Sequence, residues 1–169
     1  MMRSGSARLV LMCGPPGSGK TTLARRLKVQ LSAISFSPDE WLTQLGAGMD
    51  HPLRESLGDL QWWLAQDLLT KGQTVIMESG HWMRVERDEK RLVARALGVS
   101  VELQYLSVPL EELNRRVAQR TAERTWGSYP LTPEEFDKWL ALFEPPDTSE
   151  LALFDEPTVL EVLDDDVIS

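Results

Sequence analysis

The chain has 169 residues, 42% hydrophobic and 26% charged, with a formal net charge of -8. That is the balance of one globular domain over residues 1–169, large enough to bury about two-thirds of its unfolded surface without staples. An acidic surface repels phosphodiester backbones, which excludes long nucleic acid as the default partner, and a single cysteine excludes an internal disulfide and a multi-cysteine metal site.

No run of 18 apolar residues is present, so no membrane span is expected. Residues 1–7 lack the apolar core of a signal peptide, so a cytoplasmic protein is expected. Without heptads or a long exposed apolar segment, a monomer or small dimer is expected.

The apolar run 8–12 meets glycine and proline at Gly14 and reads as a buried strand ending in a tight loop, with Cys13 a packed, inert thiol. Residues 22–31 follow as a helix with Leu23, Leu27 and Leu31 on one face. A short strand over 33–36 leads to Ser37-Pro38, a capping serine and a first-turn proline that open another helix. Residues 54–69 predict a longer helix with Leu57, Leu60, Leu64 and Leu68 as its apolar stripe. Trp63 near that stripe reads as core, and Trp62 off it. Residues 74–77 form a β-branched-rich strand, and 84–97 a charged helix stopped by Gly98. Residues 99–106 predict a strand and 110–121 a helix. A glycine- and proline-broken stretch, 126–130, leads to a helix capped by Thr132 with Pro133 and Glu135 behind it, and Pro145-Pro146 ends that helix. Residues 158–162 predict a last strand. Alternation of strands and helices implies an α/β fold: a three-layer α/β/α sandwich around a parallel five-stranded sheet. Its ligands bind beyond the carboxyl ends of the strands.

One motif carries the functional reading. Gly14-Pro15-Pro16-Gly17-Ser18-Gly19-Lys20-Thr21 matches G-x-x-x-x-G-K-[ST] in full, between a predicted strand and a predicted helix. Glycines let the loop turn its amides onto phosphates, and the helix N-terminus adds partial positive charge. Gly14 to Thr22 is therefore the expected nucleotide site, with Lys20 on the outer phosphates and the Thr21 hydroxyl on magnesium. ATP and Mg2+ are the expected cofactors, although the motif does not choose ATP over GTP. No N-K-x-D base-reading motif of a GTPase is present, and residues 74–78 end in one acid, Glu78.

Gly14–Thr21, Phe36-Ser37-Pro38-Asp39-Glu40-Trp41, Val75–Trp82, Leu131–Phe143 and Glu144-Pro145-Pro146 resemble the bacterial P-loop kinase-type ATPases. That group is similar to chloramphenicol phosphotransferase, zeta toxins, gluconate kinase and the kinase domain of bacterial polynucleotide kinase. The resemblance spans about the whole chain and implies a P-loop NTPase with a helical lid that transfers the γ-phosphate of ATP to a hydroxyl of a small molecule. It places Asp39 at the acceptor hydroxyl as a base, the alternative being an early acid that steadies a helix N-terminus. Glu78 stands where an aspartate commonly holds magnesium through water, and is either that ligand or a plain strand-end carboxylate. His81 is either an acceptor contact or a packed ring. Arg116, Arg120 and Arg124 recur every four residues beside Arg115. They form either the cationic supply of a lid over 120–133 or a solvated face paired with Glu112 and Glu123. Arg54 is either a clamp for an anionic acceptor or a solvated helix start, and Trp41 and Trp82 are rings for stacking or for packing. A 5′-hydroxyl polynucleotide kinase and a nucleotide-switched binding protein are the competing readings.

Overall fold

In β1 (Arg8–Cys13) the five residues after Arg8 are all buried. Such a strand needs cover on both faces and neighbours on both edges. It has both in the computed structural model, which describes residues 7–48, 51–123 and 131–157. After β1 come α1 (Lys20–Gln30), β2 (Ile34–Phe36), α2 (Pro38–Gln44), α3 (Arg54–Thr70), β3 (Val75–Met77), α4 (Arg84–Ala96), β4 (Ser100–Tyr105), α5 (Leu110–Glu123), α6 (Pro133–Leu142) and α7 (Thr148–Leu151). The strands form a sheet of order β2-β3-β1-β4, parallel throughout. Leu9 lies opposite Val75 on one side of β1 and Val101 on the other.

Alternation along β1 divides the core. Leu9, Leu11 and Cys13 pack with Trp62, Ala65 and Leu69 of α3 and Ala94 of α4. Val10 and Met12 face the other way, onto Leu23, Ala24 and Leu27 of α1. This is the expected three-layer α/β/α sandwich, with four strands among the described residues. The predicted fifth strand, 158–162, lies outside them. Just before it, the Asp155 amide donates to the Val101 carbonyl at 2.8 Å and the Val101 amide donates to Asp155 Oδ2 at 2.7 Å, so the chain has reached the outer edge of β4. A separate apolar cluster, Leu113, Val117, Leu131 and Phe136, joins α5 to α6.

Local chemistry sets the helix starts. Ser37 accepts from the Glu40 amide with Pro38 behind it, and Thr132 and Glu135 form a reciprocal capping box. The predicted stripe of α3 needs correction. Its buried residues are Gln61, Trp62, Ala65 and Leu69, while Leu60 is exposed, as is Trp63 at 63%. Trp62 is the core tryptophan. Leu64 and Leu68 of the predicted stripe pack against this face as partly buried residues; leucine spacing placed the phase off by part of a turn, because the buried face is set by the sheet and admits a glutamine. The four-residue helix α7 follows Pro145-Pro146 and was not foreseen.

Helix α7 carries Glu150, whose carboxylate takes a bidentate fork from Arg87 of α4 at 2.5 and 2.9 Å. Both residues are buried. The third guanidinium nitrogen donates to the carbonyls of His81 at 3.0 Å and Trp82 at 3.1 Å. Removing one partner of such a pair leaves an uncompensated charge. Arg87→Met is therefore expected to lower the free energy of unfolding by about 3–5 kcal/mol in urea titrations, and Arg87→Met/Glu150→Leu to lose less than the two single changes summed.

Candidate active site

The carboxyl ends of β2, β3 and β1 lie side by side, and the loops leaving β1 and β3 are bonded to each other. The Gly14 amide donates to the Gly80 carbonyl at 3.3 Å, and the Trp82 indole donates to the Gly14 carbonyl at 3.2 Å. The loop from Gly14 to Gly19 turns back on itself, with the Ser18 amide on the Pro15 carbonyl at 3.2 Å. A Cβ at Gly14 would lie 2.6 Å from Ser18 Oγ. Gly17 has φ 84° and would press a Cβ to 3.1 Å from Val117. Each position needs the missing side chain.

Lys20 opens α1, and its ammonium donates to the carbonyls of Gly14 and Pro15, both at 2.8 Å. Burial draws its pKa down to about 8; Arg120 adds to the fall, while Asp39 and Glu78 oppose it. Those three charges therefore act at Lys20. Thr21 and Thr22 are exposed on the first turn of α1. Ser18 Oγ is buried and has no hydrogen-bond partner. Loop, lysine, threonine and unmatched hydroxyl together suit a polyphosphate.

Asp39 stands in the first turn of α2, just beyond β2. Its Oδ1 accepts from Arg54 Nε at 2.9 Å, so Arg54 is paired with Asp39 in this structure. Glu78 follows β3 and accepts from the Ser35 hydroxyl of β2. Burial raises the Glu78 carboxyl above its usual range; the Ser35 bond works against this and Glu40 works with it. Among the described residues no cluster of three or more His, Cys, Asp or Glu could hold a metal. The oxygen donors here are the Thr21 hydroxyl and Glu78, a sparse set that suits magnesium, an ion that keeps waters and shares substrate phosphates.

Arg116 Nε donates to Glu112 at 2.7 Å and its Nη1 reaches the Gly17 carbonyl at 3.4 Å. It therefore lies against the phosphate loop. Arg115 faces outward on Glu112 and Gln119. Arg120 makes no ion pair among the described residues, and burial lowers its pKa. Arg124 and the lid segment between Glu123 and Leu131 lie outside the described residues, so of the predicted cations Arg116 and Arg120 are the two that meet the loop or Lys20.

His81 is packed. Its Nδ1 donates to the Met12 carbonyl at 2.8 Å, its Nε2 lies 3.1 Å from Ser79 Oγ, and burial lowers its pKa to about 3. Burial also pushes the Cys13 thiol up to about 11, as an inert thiol requires. Trp41 packs edge-on against Phe36 and Trp82 against Trp139. Beside the loop, Pro15, Leu106, Val108, Leu140, Phe143 and Pro145 line an apolar cleft of about 190 Å³. Sequence patterning gave no sign of Gln61, which is buried with both amide atoms unpartnered.

A family model described as an AAA domain matches residues 9–146. The chain belongs to this AAA-domain family. Solved structures share its fold. Kti12 of Chaetomium thermophilum in complex with ADP-AlF3 superposes with a TM-score of 0.67 and 18% identity, over 83% of this chain and 82% of that one. A putative kinase of Chloroflexus aurantiacus gives 0.65 and 21%, over 85% and 83%. The Mycobacterium tuberculosis APS kinase CysC, in complex with AMPPNP and APS, gives 0.55 and 19%, over 81% and 97%. No curated protein matches the sequence. Among the described residues of this AAA domain, no helix is long and apolar enough to cross a membrane.

A phosphate bound at this loop would be held by the protonated form of Lys20. Above pH 8 the free lysine loses that proton, so affinity falls as pH rises. Nucleotide dissociation constants are expected to rise about tenfold between pH 7 and pH 9, in proportion to the lost competent fraction. Calorimetry should show proton uptake on binding, and Lys20→Met should abolish the pH dependence.

Proposed function

We propose that the chain is an ATP-dependent kinase that transfers the γ-phosphoryl group to a hydroxyl of a small molecule. The observation that carries this reading is Asp39, fixed by Arg54 at 2.9 Å just beyond β2 and close enough to Lys20 to act on its charge. A loop that only bound nucleotide would not need a steered carboxylate facing the outer phosphates. The relatives add support, since one is described as a putative kinase and another as an APS kinase bound to AMPPNP and APS.

In this reading Gly14 to Thr22 cradle the triphosphate, and Lys20 leaves the loop carbonyls for the β- and γ-phosphates. Asp39 orients the acceptor hydroxyl and takes its proton as the oxygen bonds to the γ-phosphorus. The bond from that phosphorus to the β–γ bridging oxygen breaks and ADP leaves. Positive charge must gather where the moving group spreads its negative charge. Lys20 and Arg120 supply it, Arg116 reinforces it from the loop, and Arg124 joins them from the proposed lid of 120–133. Magnesium, bound through Thr21 and Glu78, would neutralise the phosphate oxygens. The domain spans 1–169 as one unit.

Asp39→Asn is expected to lower the turnover of labelled γ-phosphate by about 10²-fold or more while leaving ATP binding within a factor of two or so. An unchanged rate would remove Asp39 from the base role. Binding without transfer to any hydroxyl compound would instead favour a nucleotide-switched protein.

A further inference from the structure

Two buried carbonyls of the phosphate loop hold Lys20, and each has a second donor. The Gly14 carbonyl accepts from the Lys20 ammonium at 2.8 Å and from the Trp82 indole at 3.2 Å. The Pro15 carbonyl accepts from Lys20 at 2.8 Å and from the Ser18 amide at 3.2 Å. A carbonyl oxygen has two lone pairs, so both are filled. In the kinase reading Lys20 leaves both carbonyls for phosphate. A buried acceptor stripped of its donors would oppose that move. Neither is stripped, because the second donors stay. Ser18 belongs to the loop itself. Trp82 does not, and reaches Gly14 across 68 residues of sequence.

The indole is built into place from several sides. At Gly80 a Cβ would lie 2.6 Å from the indole nitrogen, so only a glycine lets the ring fold across its own turn. The Gly80 carbonyl accepts from the Gly14 amide at 3.3 Å, so this turn bonds Gly14 at both of its backbone polar groups. The Trp139 ring of α6 packs against the indole with centroids 5.4 Å apart. The Trp82 carbonyl accepts from Arg87 at 3.1 Å and from the Glu144 amide at 2.9 Å.

We infer that Trp82 is a positioning residue for the phosphate loop: its indole N–H keeps the Gly14 carbonyl bonded when Lys20 leaves that carbonyl for a phosphate, and Trp139 of α6 holds the ring. This rests on the nucleotide-binding part of the kinase reading above. Without the indole donor, a phosphate would have to take the last donor from Gly14. In Lys20→Met no lysine changes partners, so loss of the indole donor affects the free and bound states alike.

The test is a double-mutant cycle on the full chain. Dissociation constants for ATP with magnesium are measured by calorimetry for wild type, Trp82→Phe, Lys20→Met and the double variant. Phenylalanine keeps a ring against Trp139 and removes the donor. Trp82→Phe is expected to weaken ATP binding about fivefold when Lys20 is present and to leave the affinity of Lys20→Met unchanged. An equal or larger loss in Lys20→Met would show that the ring merely supports the loop and would overturn the inference, as would no loss in either background. In proton NMR spectra, the indole signal that Trp82→Phe removes should move downfield when ATP binds wild type, and should already stand shifted in nucleotide-free Lys20→Met. If Trp82→Phe does not fold, or Lys20→Met binds too weakly to titrate, the spectra decide alone: the inference fails when none of the six indole signals shows both shifts. ATP bound but transferred to no hydroxyl compound would remove the kinase reading and leave this one standing. No ATP bound by wild type would overturn both.

Discussion

One buried guanidinium ties α7 to the loop that leaves β3. Arg87 carries no exposed surface and spends its donors on the Glu150 carboxylate and on the carbonyls of His81 and Trp82. A buried charge tolerates burial only when fully paired, so those three partners must stay together. The consequence reaches the phosphate loop. His81 sits at φ 45°, a conformation that costs a non-glycine residue energy and persists only where its surroundings over-determine it. Here they do, through the Met12 carbonyl on its ring and Arg87 on its own carbonyl. Trp82, fixed by the same cation, places its indole on the Gly14 carbonyl. A contact near the end of the described chain thus steadies the first residue of the loop.

The site above this brace has two electrical halves. Lys20 opens α1 beyond β1, Arg116 of α5 lies against the loop and Arg120 in the last turn of α5 acts on the Lys20 charge, which makes a cationic half where phosphates would lie. Asp39, Glu40 and Glu78 gather over β2 and β3, with Arg54 steering Asp39. The halves act on each other at Lys20, where Asp39 and Glu78 favour the charged form and burial opposes it. A phosphoryl group moves from a cationic side to a carboxylate side in the proposed reaction, and this division of charge follows that path. It also explains why an acidic chain, at -8 overall, can still concentrate positive charge where a polyphosphate would sit.

Some features were legible because they rest on short-range chemistry. Gly14 to Thr21 declared itself because its glycines, lysine and threonine are needed within eight consecutive residues. Ser37-Pro38 and Thr132-Pro133 declared their helices because a cap bonds an amide three residues away. The run of apolar residues in β1 declared a strand buried on both faces. Other features were not legible because their partners are distant in sequence. Leucine spacing gave the period of α3 but not its phase, since the sheet decides which side is buried. Arg87 looked like one charge on a charged helix, and its partner Glu150 lies 63 residues away.

The sequence by itself determined the parallel α/β architecture, the phosphate loop and the candidate carboxylates, because local hydrogen bonds, backbone freedom and hydrophobic periodicity are written in neighbouring residues. Tertiary structure alone decided that Arg54 pairs with Asp39, that Arg116 rather than Arg115 turns to the loop, that His81 is packed, and that Gln61 is buried. Each of those depends on which faces meet when helices dock on the sheet, and docking is fixed by the whole core rather than by any one segment.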